Sequence, residues 1–485
     1  MTPEEVDALI LQTGDTRNLP FWTDRSWTRY PFAYEGAEEH FTLPAAVGWH
    51  PGYDSQSWDI EAHVKAKESG KRYSFIYIYS YNRMGWYFGF NCRVLNVADI
   101  SEKRHYVDRR YHFRPFPGLF PPPLDIKEGN LDITYRPRGR SVERWCPKTD
   151  SGGNPVPFEF RLEASSYGGS GMDMKLDVDL EALKPPLLDG AMDYRGMLTM
   201  FGQPYTFAFC LSPRVRVRGT FEIGGVTEEI EGIAKIGLQW APNHFGKTNK
   251  PIKRIKHECF SGHLSNGWDF GIWRQYETMR YNRLLPFSGI FALFEDNAMM
   301  TTNEYTLEPI SYQKCPGWSK ETKPIFRTGP RDHYVTHAAR LTIPEWDADL
   351  VITPLLEDNT QAVFVEYYFG PTEISGTVRG KEVHGLGFSE GTKLWYQDHE
   401  LIKMMRNILG ELPDSAFAGN RADIRRKLVN ELEEALAAYQ VNNTARAGEV
   451  LEGCLALISA DIREDVIVAP AVSLSDICRD FIRRL

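Results

Sequence analysis

The stretch GTFEIGGVTEEIEGIAKIGLQW, residues Gly219–Trp240, has a counterpart later in the chain, GTVRGKEVHGLGFSEGTKLW, residues Gly376–Trp395. Both begin with Gly-Thr, contain a glycine turn, place valine or isoleucine shortly before a further glycine, and end in tryptophan. Each pattern predicts a β-hairpin followed by another strand. A repeated β-meander is sufficient to explain the similarity, so the repeat indicates architecture and not function.

Glycines occupy the positions where such a meander needs them. Gly224, Gly225 and Gly380 would supply the positive φ angles that tight turns require. Gly232 and Gly385 fall where a strand bends or where another backbone comes close.

The rest of the chain between residues 41 and 396 has the same β character. Apolar and polar residues alternate in SFIYIYSY, TFAFCL, RVRVRGTFEI and AVFVEYYFG, which begin at Ser74, Thr206, Arg214 and Ala362. Short turns separate these stretches, which is typical of a sandwich or barrel and not of alternating strands and helices.

After residue 397 the periodicity becomes helical. Ala422–Gln440 has isoleucine and leucine at helical spacing with charges between them, which predicts an amphipathic helix. A second helix is predicted over Ala447–Ala460 and a short last one over Leu474–Leu485. We expect this tail to pack as a lid or an oligomer contact, without chemistry of its own.

Composition excludes several classes of protein. A chain of 485 residues is too long for one ordinary core, so at least two domains are expected. The net charge of −9 argues against a nucleic-acid surface. The acidic N-terminus is unlike a signal peptide, and no run approaches the ~20 apolar residues of a membrane span. We therefore expect a cytoplasmic protein with no integral membrane segment.

No metal or cofactor is predicted. The seven cysteines are scattered without a CxxC pair, which favours reduced thiols over disulfides or a zinc site. The chain has no phosphate-binding or dinucleotide-binding glycine motif and no nucleophile elbow. His333 and His337 are four residues apart, but the residues between them favour a strand or loop, where they would not meet at a metal.

Five segments occur in the order of a known family. They are GWHPGYDSQSWDIEAHV, YTFAFCLSPRVRVRGTFEIGG, GIAKIGLQW, NGWDFGIW and VHGLGFSEGTKLW. Over roughly residues 44–397 the chain resembles the lipocalin-like carotenoid 1,2-hydratase superfamily, which includes AttH-type proteins and to which fungal decalin-forming Diels–Alderases are similar. The resemblance implies a mainly β fold of two lipocalin-like antiparallel β-barrel domains.

The expected division of the chain follows from this resemblance and from the strand pattern. We predict an N-terminal extension at 1–40, one β-barrel domain at 41–212, a second at 213–397 and an α-helical tail at 398–485. The two barrels would meet near Phe209–Arg216, and both repeated hairpins would lie in the second barrel.

The match to the family is uneven at one strand. The family often has an Asp-His pair there, whereas this chain has Gly237 and Leu238, followed by a Gln-Trp that is retained as Gln239 and Trp240. The difference argues against water addition by that pair.

Three residues are candidates for catalysis. Glu390 follows an apolar hairpin; facing inward, its carboxyl would have a raised pKa and donate a proton, and a surface carboxylate is the alternative. Gln239 would hydrogen-bond a substrate carbonyl, and Asp269 is a further candidate acid. The candidate substrate-binding residues are Trp58, Asp59, Trp240, Trp268, Phe388 and Trp395.

Successive side chains of a strand point to opposite faces of the sheet, which limits the directions that these candidate residues can take. Asp59 and Asp269 lie on the face opposite their aromatic neighbours, so either the tryptophans face the core and the aspartates water, or the reverse. We predict an apolar cavity lined by Trp58, Trp240 and Trp268, with Gln239 and Glu390 as its polar groups.

Several functions remain open at this stage. The first is an enzyme that cyclises or isomerises a hydrophobic polyene, polyketide or terpenoid-like substrate, through substrate folding or acid assistance. The second is a C=C hydratase or dehydratase of the carotenoid type, and the third is a lipocalin-like carrier of an apolar ligand. A carbohydrate-active protein is a fourth, although no two carboxylates pair convincingly for it. The oligomeric state is not predicted.

Overall fold

The structure is a computed structural model, and it describes most of the β region and part of the tail. The described residues are 3–10, 40–84, 88–115, 123–137, 140–166, 171–198, 206–241, 255–277, 288–315, 333–362, 366–392, 402, 406, 409, 417, 421–461, 467–469, 472–473, 475 and 478.

The first half of the chain forms one antiparallel sheet of thirteen described strands. In chain order they are β1 (Ser55–Ala66), β2 (Arg72–Met84), β3 (Phe88–Asp99), β4 (Arg104–Pro115), β5 (Leu124–Ile126), β6 (Ile133–Tyr135), β7 (Glu143–Thr149), β8 (Pro155–Ser166), β9 (Met174–Ala182), β10 (Leu187–Leu188), β11 (Met197–Leu198), β12 (Thr206–Ile223) and β13 (Val226–Ala241). Across the sheet the order is β4-β3-β2-β1-β13-β12-β9-β8-β7-β6-β5, and β10 and β11 also pair with β12.

The second half forms a separate antiparallel sheet of ten described strands. They are β14 (Ile255–Leu264), β15 (Asp269–Glu277), β16 (Gly289–Leu293), β17 (Met299–Thr302), β18 (Thr306–Cys315), β19 (His333–Ile343), β20 (Ala348–Pro354), β21 (Thr360–Ala362), β22 (Glu366–Val378) and β23 (Lys381–Thr392). The order is β17-β16-β15-β14-β23-β22-β20-β19-β18, with β21 on β22. The predicted fold, mainly β with two antiparallel barrel-like units and a helical C-terminal extension, is confirmed, and each unit is a sheet curled into a half-barrel.

The repeated stretches are hairpins of the same design. β12 and β13 pair up to Ile223↔Val226, and the two residues between them, Gly224 and Gly225, both have positive φ. β22 and β23 pair up to Val378↔Lys381, with Arg379 and Gly380 at positive φ. Two-residue loops with both residues at positive φ match the twist of antiparallel strands.

The prediction that both hairpins lie in the second barrel is wrong, because each sheet contains one of them. The predicted boundary at 212/213 falls inside β12, where TFAFCL and RVRVRGTFEI are one strand. A register shift between Cys210 and Val215 absorbs Pro213, which has no N–H for the ladder.

Two apolar cores each belong mainly to one sheet, although the first also takes in several side chains of the second sheet. In the first, alternate residues of β1 such as Trp58, Ile60 and Ala62 join aromatic and aliphatic side chains of neighbouring strands. In the second, Phe260 and Leu264 of β14 pack with apolar side chains of the neighbouring strands of that sheet.

The faces of β1 and β14 that point away from these cores meet each other. Nε2 of His63 donates to the carbonyl oxygen of Gly387 at 2.9 Å, and Oγ of Ser261 donates to Glu61 at 3.3 Å. The N-terminal helix α1 (Pro3–Ile10) places Leu9 in an apolar cluster with residues of both sheets, among them Ile233 and Leu386.

The tail is helical where it is described, apart from one short hairpin. Helices α2 (Arg421–Gln440) and α3 (Thr444–Asp461) agree with two of the predicted helices, and β24 (Ile467–Ala469) pairs with β25 (Val472–Ser473). Most of the predicted last helix, Leu474–Leu485, lies outside the described residues. No helix in the described part of the chain is long and apolar enough to cross a membrane.

Candidate active site between the two sheets

A cavity of about 170 Å³ lies where the two sheets face each other. Its apolar lining includes Ile78, Leu187, Leu198, Phe270, Trp273, Phe291 and Phe369. Its polar lining includes Ser57, Asp59, Glu61, Asp189, Lys235, Gln239 and Glu390. An apolar cavity with a few convergent polar groups is typical of a small-molecule site. Since a cavity of roughly 150 Å³ holds benzene, this one has room for a ring-sized part of a ligand.

Alternation along β1 explains how charged groups reach this cavity. Trp58 and Ile60 are 1% and 0% exposed in the first core. Ser57, Asp59 and Glu61 therefore point to the other face, which the second sheet covers. Of the two orientations considered from the sequence, the one with the tryptophan in the core is correct for β1, but its aspartate faces a cavity and not bulk water.

Five carboxyl groups line the cavity, and the four other than that of Asp269 share one ammonium group. Nζ of Lys235 lies 2.9 Å from Oε1 of Glu61. Burial and the charge of Glu61 raise the pKa of Asp59 to about 7, and Glu390 is near enough to add to this effect. Burial also raises the pKa of Asp189 to about 7 against the opposing charge of Lys235. Because burial disfavours the ionised form, Asp59 and Asp189 both titrate near neutral pH in spite of the nearby charge of Lys235.

Gly237 makes room for the carboxyl of Asp59. The two residues are direct partners in the β1–β13 ladder, and the Gly237 N–H donates to that carboxyl. A Cβ at position 237 would lie 2.5 Å from Oδ2 of Asp59, closer than such atoms can approach.

Glu390 faces the cavity, as one of the two sequence alternatives predicted. Its Oε1 lies 3.1 Å from Nε2 of His257, and its side chain is 17% exposed. The imidazole stacks on Trp273, with ring centroids 4.7 Å apart and planes 14° from parallel. A carboxylate and an imidazole at this distance can exchange a proton. Gln239 also lines the cavity, on the neighbouring sheet.

The geometry argues against the predicted role of Asp269 as an acid. Its Oδ1 accepts hydrogen bonds from Nε of Arg214 at 3.0 Å and Nδ1 of His263 at 2.9 Å, and its Oδ2 lies 3.0 Å from Nζ of Lys184. Burial alone would raise its pKa, but the two cations hold it well below the usual range. Asp269 therefore stays ionised and ties β15 of the second sheet to β12 of the first.

The prediction that three tryptophans line the cavity is wrong. Trp58, Trp240 and Trp268 are at most 3% exposed and pack in the cores of the two sheets. Trp240 stacks on His50 and Trp268 on Phe294, each with ring centroids 4.0 Å apart. Large apolar rings gain more by complete burial in a core than in a cavity wall that also has charged groups.

The two remaining predicted binding residues have different outcomes. Phe388 packs between the sheets against His63, at 4.5 Å between ring centroids, beside the cavity but not in its lining. Trp395 lies outside the described residues.

Sequence reasoning missed Glu61, Asp189, Lys235 and His257. Glu61 has the same parity as Asp59 on β1, and Lys235 faces Glu61 across the ladder, so alternation from Asp59 could have found both. Asp189 and His257 gave no such signal: Asp189 lines the cavity from outside these two strands, and His257 contributes only through its contact with Glu390. Among the described residues, no three His, Cys, Asp or Glu side chains are arranged to hold a metal ion.

Two solved structures are similar to this chain in fold. No family model matches the sequence, and no curated protein matches it either. An AttH-type protein from Nitrosomonas europaea is 14% identical with a TM-score of 0.55, covering 76% of this chain and 100% of its own. Kievitone hydratase from Nectria haematococca is 14% identical with a TM-score of 0.51, covering 75% and 94%.

The chain has the fold of these two proteins. The fold expected from the resemblance to the lipocalin-like superfamily is thereby confirmed. CghA with Sch210972 is more distant, at 10% identity and a TM-score of 0.40, covering 71% of this chain and 89% of its own.

The strand from which this sequence lacks the Asp-His pair, β13, lies in the wall of the cavity. β13 has Gly237 and Leu238 there, and the carboxyl at that point of the cavity comes from Asp59 on the adjacent strand. The absence of the pair from β13 therefore does not leave the cavity without an acid.

Proposed function

We propose that this chain is an enzyme that protonates a carbon–carbon double bond of an apolar small molecule and adds water to it, or runs the reverse dehydration. The observation behind the proposal is that Asp59 and Asp189, each with a pKa of about 7, share one cavity with apolar walls. Groups with such pKa values are suited to general acid and base catalysis near neutral pH. The likeness in fold to a protein named as a hydratase supports the proposal.

The reaction balances without an oxidant or reductant. A protonated carboxyl, Asp59 or Asp189, gives its proton to one alkene carbon, and the π electrons form the new C–H bond. The adjacent carbon becomes positively charged, and the oxygen of a water molecule forms a bond to it. The proton that this water loses goes to a second carboxylate. Release of that proton to solvent and uptake of one proton by the spent acid restore both groups for the next turnover.

The surroundings suit a positively charged intermediate. Glu61 and Glu390 add negative charge to the cavity, and Trp273 offers an aromatic ring to a cation. We assign Glu390, paired with His257, as the base that takes the proton from water, since the imidazole can pass that proton on.

A second candidate is acid-assisted isomerisation or cyclisation. The apolar part of the lining, which limits the access of bulk water to a cation, favours it. The protonation step is the same, but the cation then loses a different proton or is attacked by another double bond, so the product has the mass of the substrate. A simple carrier is disfavoured, because the carboxyl groups that line the cavity would weaken the binding of an apolar ligand.

Isotope labelling tests the proposal. The purified full-length protein is incubated with an extract of its source cells, and with a panel of isoprenoid and polyketide alkenes, in D₂O or in H₂¹⁸O. We expect a product with deuterium on carbon and one ¹⁸O. A product with deuterium on carbon but without added water would select the second candidate. A rearranged product with neither deuterium nor ¹⁸O would contradict both, since the ring would then close without proton transfer.

Matched variants test the assignment of residues. Asp59→Asn and Glu390→Gln should each lower kcat by about 10²–10⁴-fold, the usual contribution of a general acid or base. The controls are Asp193→Asn and Glu345→Gln, at exposed positions away from the cavity. Wild-type rates in both site variants would mean that the reaction takes place elsewhere.

A further inference from the structure

Three uncharged polar side chains at paired positions on three neighbouring strands line the cavity next to the acids; we call such a set of cross-strand partners a row. In the ladders, Ser57 of β1 lies opposite Ser80 of β2 on one side and Gln239 of β13 on the other. All three side chains line the cavity. The adjacent row on the same face contains Asp59 and Gly237.

This row has unused hydrogen-bonding capacity. Ser57 is 9% exposed, and its Oγ has no hydrogen-bond partner in the structure. Oγ of Ser80 accepts from Nδ2 of Asn82 at 2.8 Å, and Oδ1 of Asn82 in turn accepts from Ser55 at 2.6 Å. The hydroxyl hydrogen of Ser80 is therefore left for another acceptor. Buried hydroxyls without partners cost free energy, so a ligand that satisfies them is favoured.

We propose that Ser57, Ser80 and Gln239 bind an uncharged oxygen of the substrate, a hydroxyl or a carbonyl, and so select an oxygenated apolar molecule over a hydrocarbon. The inference rests on the proposed function in taking the cavity as the substrate site. Rows on one face of a strand are about 7 Å apart, which puts this oxygen about that distance from the carboxyl of Asp59.

The charges of the cavity explain why the oxygen must be neutral. The only described cation in the polar lining next to the acids is Lys235, which is paired with Glu61 two rows from Ser57. A carboxylate or phosphate at the row of Ser57 would have no cation of its own and would lie beside Asp59, which is ionised above its pKa of about 7. Like charges in a buried site raise the free energy of binding, so anions are excluded.

Three ten-carbon probes separate these cases: geraniol, with a hydroxyl; myrcene, a hydrocarbon; and geranic acid, an anion at pH 8. Binding to the full-length protein is measured by calorimetry. We expect geraniol to bind about 10-fold more tightly than myrcene, the effect of one or two net hydrogen bonds, and geranic acid to bind least. Equal binding of geraniol and myrcene, or no binding of geraniol, overturns the inference.

Ser57→Ala is the central variant, with exposed Ser151→Ala as its matched control. Ser57→Ala should remove most of the preference for geraniol, and because Oγ has no partner it should not lower Tm. An unchanged preference in Ser57→Ala and in Ser80→Ala contradicts the assignment.

The outcome is distinguishable from that of the proposed function. Asp59→Asn should lower kcat by about 10²–10⁴-fold and keep the preference for geraniol. If Asp59→Asn loses turnover but the wild type does not prefer geraniol over myrcene, only the inference fails. If the wild type prefers geraniol but Asp59→Asn keeps its turnover, only the proposed function fails.

Discussion

Asp59 stands directly across from Gly237 in the β1–β13 ladder, and its Oδ2 lies 2.5 Å from the point where a Cβ at 237 would be. The missing side chain on one strand thus makes space for the carboxyl on the next. The glycine that replaces the family's Asp-His pair on β13 is therefore also what allows Asp59 of β1 to place its carboxyl in the cavity.

We expect Gly237→Ala to displace the carboxyl of Asp59 and to lower kcat by about 10²-fold, a cost that a shift of roughly 1 Å can produce. The control is Gly391→Ala on β23, where the new Cβ would meet its nearest neighbours at an ordinary 3.7 Å. The measurement is turnover together with Tm for both variants. Equal rates would show that the position of Asp59 does not matter.

Asp59 should make the protein less stable as the pH rises. Its pKa is raised from 3.8 to about 7 in the folded state, so the folded state binds more protons than the unfolded state between these values. The free energy of unfolding therefore decreases from pH 4 to 7 and is lowest above 7. We expect Asp59→Asn to raise Tm relative to wild type at pH 8 and to leave it nearly unchanged at pH 4. A lower Tm at pH 8 would contradict the raised pKa.

Asp269 is expected to matter for stability more than for chemistry. Asp269→Asn leaves Arg214 and Lys184 buried without their anion, and breaking such a pair costs about 3–5 kcal/mol in free energy of unfolding. The matched control, Asp349→Asn, breaks an exposed pair with Arg340 and should change stability little. Chemical denaturation measures both.

The depressed pKa of Asp269 sets the direction of its pH dependence. Its contribution is present above the unfolded pKa and is lost only when the pH falls through the lower folded value. The difference between wild type and Asp269→Asn should therefore shrink in strong acid, and a constant difference would argue against the ion pairs.

Two tryptophans should respond differently to the same change. Trp273 lines the cavity and supports the ring of His257, so Trp273→Phe should raise KM or weaken ligand binding. Trp240 packs in the first core, so Trp240→Phe should lower Tm and leave KM of the folded protein unchanged. The reverse result would restore Trp240 as a wall of the site.

Local patterns were enough to predict much of the architecture. Alternation of apolar and polar residues and paired turn residues depend on neighbours in the sequence, which is why the hairpin at Gly224-Gly225 and the helix over Ala422–Gln440 agree with the structure. Local patterns did not predict the boundary between the sheets. A proline usually ends a strand, and only the hydrogen-bonded pairing on both sides of Pro213 shows that β12 continues through it.

For the site, the sequence determined which residues alternate on each strand, and therefore that Trp58 and Asp59 face opposite ways. It also identified Glu390 and Gln239 as polar groups of one cavity. Only the tertiary structure decided what covers each face. The face of β1 with Asp59 and Glu61 would be wet in an isolated sheet, and its burial by the second sheet is what raises the pKa of Asp59. Burial of one sheet by the other depends on contacts between residues hundreds of positions apart in the chain, and a local hydrophobic pattern contains no information about them.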